Sequence, residues 1–133
     1  MSSTPSTTFA STKLIVHDLE GMARFYCDAY GFEQTGRIQA DIDGEPIDEI
    51  FLGSGGDAGG SLILMQYVER PAAPPGAVCL VFTTDDVDGL VARVCAAGGA
   101  VDVAPYQSDV TPYRAGFTTD PEGNRIENVE IPA

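Results

Sequence analysis

The sequence predicts an α+β domain made of two βαβββ modules that together form a curved mixed sheet with a concave ligand cleft. Three observations predict it. The chain has 133 residues, the length of one domain, and 44% of them are hydrophobic, enough for a core. An apolar strand running into an acidic helix opener occurs twice, at residues 9–16 before His17-Asp18 and at residues 78–83 before Asp85-Asp86. The distance from opener to closing glycine is almost the same in both copies, Asp18 to Gly31 and Asp86 to Gly98.

In the first copy Leu19, Met22, Phe25, Tyr26 and Ala29 recur at helical spacing and form one apolar face, and Gly31 fits a helix C-cap. In the second, Val87, Leu90, Val91, Val94 and Cys95 form the buried stripe, and Gly98-Gly99 ends the helix. Three strands follow each helix. In the first half they are expected at 33–40, 48–52 and 61–68, with Asp43-Gly44 as the hairpin turn. In the second they are expected at 100–104, 113–119 and 125–131, with residues 120–124 as a strong turn. Residues 53–60 are glycine-rich, match no phosphate-binding pattern and read as a flexible connection. Residues 1–8 read as a flexible tail. Residues 9–132 read as one domain: module one at 9–69, a proline-rich linker at 70–76 and module two at 77–132. A strand–helix–three-strand unit leaves one sheet face uncovered, and pairing two units provides a surface for a small ligand.

Composition narrows the function. Lys and Arg total 7 against 20 Asp and Glu, a formal net charge of −13. Such a chain lacks the basic clusters that neutralise phosphates, so nucleic acid and anionic membrane surfaces are excluded as partners. No apolar run approaches the ~20 residues of a membrane span. The start has neither a basic nor an apolar signal segment. Cys27, Cys79 and Cys95 show no paired spacing, as expected of reduced thiols in the cytoplasm.

The run Leu14-Ile15-Val16-His17-Asp18-Leu19, with Phe25-Tyr26 and Gly31-Phe32, resembles the first strand and helix of the vicinal-oxygen-chelate superfamily, the glyoxalase/bleomycin-resistance/dioxygenase group. Asp85-Asp86-Val87-Asp88 through Ala97-Gly98-Gly99 resembles its second. Residues 117–127, Phe-Thr-Thr-Asp-Pro-Glu-Gly-Asn-Arg-Ile-Glu, resemble its closing hairpin and are the most specific part. The resemblance implies the two-module fold, a small-molecule ligand or substrate and a homodimer. Members include glyoxalase I-type lyases, extradiol dioxygenases, epimerases, fosfomycin-modifying enzymes and antibiotic-sequestering proteins.

The resemblance also implies where a divalent ion would sit. Carried over residue by residue, the four ligand positions are Ser11, Ile63, Cys79 and Glu127. Only Glu127 is the usual residue type, so no metal site and no cofactor are expected. Strand alternation puts Ile126 towards the helices and Glu127 towards the ligand side, where partial desolvation makes a carboxylate a better base. The alternative is a structural Glu127 bonded to Lys13 or Arg125. By the same alternation Lys13, Ile63, Met65, Cys79 and Val81 join Ser11 in a largely apolar wall. His17, the single histidine, reads as a surface turn residue, and Asp41, Asp43, Glu45, Asp48 and Glu49 as a solvated hairpin. Cys79 reads as a small buried hydrophobe. Three functions fit these residues. One is a metal-independent member binding a small, fairly apolar molecule, with proton-transfer or isomerase-type chemistry at Glu127. The second is a metal-dependent glyoxalase I-type lyase. The third is a non-catalytic, antibiotic-sequestering protein whose acidity attracts cationic ligands.

Overall fold

A computed structural model describes residues 6–54 and 61–132. Module one contains β1 (Thr12–Ile15), α1 (Leu19–Tyr30), β2 (Phe32–Ile42), β3 (Glu45–Ser54) and β4 (Ser61–Tyr67). Module two contains β5 (Cys79–Thr84), α2 (Val87–Ala96), β6 (Ala100–Gln107), β7 (Arg114–Thr119) and β8 (Arg125–Glu130). Each module folds into a four-stranded mixed sheet, in the orders β1-β4-β3-β2 and β5-β8-β7-β6. The first strand of each runs parallel to the last and the remaining pairs are antiparallel. The tail expected at residues 1–8 lies partly outside the described residues, and so does most of the glycine-rich connection at 53–60.

Both helices begin in the same way. Asp18 caps α1 by accepting from the Gly21 N–H at 3.1 Å, and Asp86 caps α2 by accepting from the Gly89 N–H at 3.0 Å. A Cβ on Gly21 would meet the Asp18 carboxylate at 2.2 Å, and one on Gly89 would meet that of Asp86 at 2.4 Å. The repeated unit is therefore Asp-x-x-Gly, a sharper signature than the acidic opener alone. Gly31 ends α1 with φ 72°, in the left-handed region that glycine occupies without strain.

Strand limits differ from expectation for identifiable reasons. β1 is shorter than 9–16, because Phe9 and Ala10 are exposed and pairing with β4 begins only at Thr12. β2 and β3 are longer, because Asp43 and Gly44 both take positive φ and form a two-residue turn that lets the ladder run to Ile42 and Glu45. β6 continues through Pro105 as an outer strand with two register shifts. Cys95, assigned to the buried stripe of α2, is exposed, whereas Val87, Leu90, Val91 and Val94 are buried as expected.

The two helices pack on each other and fill the space between the sheets. Met22, Phe25, Tyr26 and Ala29 of α1 share one core with Leu14, Ile50, Leu52, Leu62 and Leu64 of module one and with Leu90, Val94 and Ile126 of module two. Phe82 of β5 stacks on Tyr30 of α1 at 4.1 Å between centroids. Polar bonds cross the same boundary. Tyr26 donates to Asp120 at 2.7 Å, Tyr30 donates to Asn128 at 2.8 Å, and the Glu122 carboxylate accepts from the backbone N–H groups of His17 and Asp18. The turn at residues 120–124, the most specific motif in the sequence, thus clasps the start of α1. α1 packs on β2, β3 and β4 and reaches β5, β7 and β8 through Tyr30, while α2 packs on β6, β7 and β8.

Candidate functional site

The sheet faces turned away from the helices carry the strand residues singled out from the sequence. On module one, β1, β4 and β3 align Lys13, Ile63 and Phe51 in one row and Ile15, Met65 and Glu49 in the next. On module two, β5, β8 and β7 align Val81, Glu127 and Phe117, with Cys79, Arg125 and Thr119 beside them. The rows correspond, so Ile63 occupies in module one the place of Glu127 in module two. Alternation is observed as expected: Ile126 is buried against the helices and Glu127 is half-buried on the open side.

The six wall residues and Glu127 are divided between the two sheets. Lys13, Ile63 and Met65, with Ser11 just before β1, belong to the face of module one, and Cys79, Val81 and Glu127 to that of module two. Cys79 is exposed rather than buried, because β5 is an outer strand and its odd-numbered side chains leave the core. His17 is an exposed turn residue, as expected.

Glu49 corrects the reading of a solvated hairpin. It is 5% exposed, and its Oε1 accepts from Lys13 Nζ at 2.8 Å. Asp48, its neighbour, points to the helix side and is bound by Arg37 through Nη2 at 2.8 Å, which holds its carboxyl below the usual range. Glu49 was hard to find because β3 is apolar on both faces, with Ile47 and Phe51 on one and Ile50 and Leu52 on the other. Strict alternation is then lost as a signal.

The proposed structural partners of Glu127 are engaged elsewhere. Lys13 holds Glu49, and Arg125 holds Asp102 at 2.8 Å while its guanidinium lies 4.4 Å from the Phe117 ring centroid. Among the described residues the Glu127 side chain has no hydrogen bond or ion pair. A half-buried carboxylate between an isopropyl group and an aromatic ring, with no cation of its own, can accept a proton from a ligand on that face.

A family model for the glyoxalase/bleomycin resistance protein/dioxygenase superfamily matches residues 8–128. The chain belongs to this superfamily. A glyoxalase family protein from Bacillus cereus superposes with a TM-score of 0.83 at 16% identity, over 100% of this chain and 99% of that one. A glyoxalase I variant from Zea mays gives 0.76 at 20% identity, covering 92% of this chain and 44% of that one, so this chain spans less than half of the maize enzyme. A hypothetical protein from S. aureus gives 0.66 at 25% identity over 95% and 98%. These likenesses show the fold. Among curated proteins none matches.

Metal-dependent members of the superfamily place a divalent ion on this side of the sheets, and the donor set here does not fit one. Ile63 has no donor atom and the Ser11 hydroxyl is a poor ligand, which leaves Cys79 and Glu127 as the two good donors among the four positions. Among the described residues, Asp86, Asp88 and Glu130 bring three carboxylates within 4.8 Å of one another. Arg114 already bridges that group, 2.6 Å from Asp88 and 3.8 Å from Glu130, and Glu130 accepts from the Val87 N–H. This arrangement secures the start of α2.

Proposed function

We propose that this chain binds a small, largely apolar organic molecule on an open sheet face, and that Glu127 acts there as a proton-transfer base without the divalent ion of the metal-dependent members. The observation that carries this reading is the row Val81–Glu127–Phe117, in which a half-buried carboxylate lacks a partner and is flanked by apolar surface. The Glu127 carboxylate would take a proton from a carbon made acidic by a neighbouring carbonyl and return it to another atom of the same molecule, an isomerisation with no net redox change. Phe117 offers a ring face to an aromatic ligand and Val81 an aliphatic contact.

The working form is proposed to be a homodimer in the cytosol. Val81, Val103 and Tyr106 on module two and Ile38 and Ile42 on module one are exposed apolar residues on open faces. A second copy covering one such face would enclose the ligand. No helix among the described residues is long and apolar enough to cross a membrane.

The test is proton exchange. A set of neutral aryl ketones is incubated with the protein in D2O containing EDTA, and loss of the proton next to the carbonyl is followed by NMR. Exchange by the native protein that disappears in Glu127→Gln supports the reading. Exchange that requires added Zn2+, Ni2+ or Mn2+ reinstates the metal-dependent lyase. Tight binding with no exchange identifies a sequestering protein.

A further inference from the structure

A groove of about 520 Å³ lies between the modules, beside Tyr30 at the end of α1; Val81 of the Glu127 row lines it, whereas Glu127 and Phe117 do not. β5 forms one side over its whole length. Thr12, Ser61 and Leu62 of module one stand across from it, and Arg93 of α2 lines the same groove. Its volume falls within the ~300–1,000 Å³ of small-ligand sites.

The edge of β5 facing this groove is an unpaired strand edge. The Thr84 carbonyl accepts from the Ile131 N–H at 2.7 Å, so Thr84 turns its backbone groups towards β8, and Phe82 and Leu80 follow in step. Val81 and Thr83, one residue out of phase, present their N–H and C=O groups on the other side, where no strand pairs with them. Outer strands usually carry a charge, a proline or a bulge that prevents pairing. β1 has Lys13, β2 has Glu33, Arg37, Asp41 and a register shift, and β6 has Asp102, Pro105 and two shifts. β5, Cys-Leu-Val-Phe-Thr-Thr, has none of these and pairs with β8 in unbroken register.

Charge identifies one end of that segment. Among the described residues Arg93 is the only charged side chain lining the groove, in a chain of net charge −13. Its Nε donates to the Ala29 carbonyl at 3.3 Å, and its two terminal nitrogens have no partner among the described residues. A guanidinium fixed through Nε keeps its terminal N–H groups available for a carboxylate.

We propose that this groove binds a short, extended peptide or peptide-like amide ending in a free carboxylate. The ligand's amides pair with the free edge of β5 at Val81 and Thr83, and its carboxylate is held by Arg93. The two sites share Val81, whose side chain belongs to the Glu127 row and whose backbone belongs to the free edge, but the peptide contacts neither Glu127 nor Phe117.

The experiment titrates N-acetyl-trivaline, as the free acid and as the C-terminal amide, into 15N-labelled full-length protein. The acid is expected to shift the Val81 and Thr83 amide resonances saturably and to bind at least about tenfold more tightly than the amide. In Arg93→Gln the two peptides should bind equally weakly, and Arg93→Lys should restore part of the difference. Arg93 is exposed and joined to the fold by one hydrogen bond; should the variants fail to fold, the comparison of acid and amide on native protein still decides. Equal affinity for the two peptides, no saturable shift at millimolar peptide, or shifts confined to the Phe117 face would overturn the proposal. So would Val81 and Thr83 shifts that depend on protein concentration without peptide, since another copy would then occupy the edge.

Discussion

Lys13 Nζ lies 2.8 Å from Glu49 Oε1, one strand apart on a face otherwise built from Ile15, Phe51, Ile63 and Met65. The pair is asymmetric, since the lysine side chain is 47% exposed and the glutamate side chain only 6%. Removing the lysine strands a charge in a dry place, whereas neutralising the glutamate leaves an amine that water can solvate. Lys13→Met should therefore destabilise by about 1–3 kcal/mol, below the usual figure for a fully buried pair because half of Lys13 is in water. Glu49→Gln should cost less, roughly 1 kcal/mol or under. Urea unfolding of the two variants gives the comparison; an equal or reversed order would show that the pair contributes nothing through burial.

Tyr26 and Tyr30 make the fold sensitive to alkali. Burial, followed by the nearby Asp120 charge, pushes the Tyr26 phenol far up, and burial pushes Tyr30 to about 12. A group whose folded pKa is raised favours folding while it stays protonated. Its contribution is complete below the unfolded value of about 10 and is lost as pH rises from there through the folded value. Stability should be unaffected by these groups near neutrality and should fall steadily above about pH 10. Tyr26→Phe should flatten part of that fall and cost about 1–2 kcal/mol at pH 7 through loss of the bond to buried Asp120. Thermal melts from pH 7 to pH 11 decide it, and a variant with the native alkaline slope would refute the assignment.

Glu127 has a split prediction. If it moves a proton, Glu127→Gln should lower turnover by roughly two to four orders of magnitude with affinity nearly unchanged. If the chain only sequesters its ligand, the same variant alters affinity alone. Intact turnover and intact affinity together would make Glu127 a remnant and send the search to Cys79 and Lys13.

Metal should add little stability. An ion present at 100 times its Kd contributes about 2.7 kcal/mol, which at this size moves Tm by roughly 10 °C. The donor set offers Ile63 where a ligand is needed, so excess Zn2+, Ni2+ or Mn2+ should leave Tm almost unmoved. A stoichiometric ion by elemental analysis, lost on Glu127→Ala, would overturn this.

What was legible in the sequence was whatever a local rule controls. Helix faces at Met22, Phe25 and Tyr26 and at Leu90 and Val94, the caps at Asp18 and Asp86, the αL glycine at Gly31 and the turn at Asp43-Gly44 all depend on residues a few positions apart. The two-module order and the orientation of Glu127 followed from repeat and alternation, which are also short-range. Tertiary structure decided the rest. It set the partners of Lys13 and Arg125, because an ion pair depends on strand register and not on spacing along the chain. It buried Glu49, because a strand apolar on both faces gives no periodic sign of which side holds the charge. It assigned Lys13, Ile63 and Met65 to one sheet and Cys79, Val81 and Glu127 to the other, because each first strand pairs with the last strand of its own module.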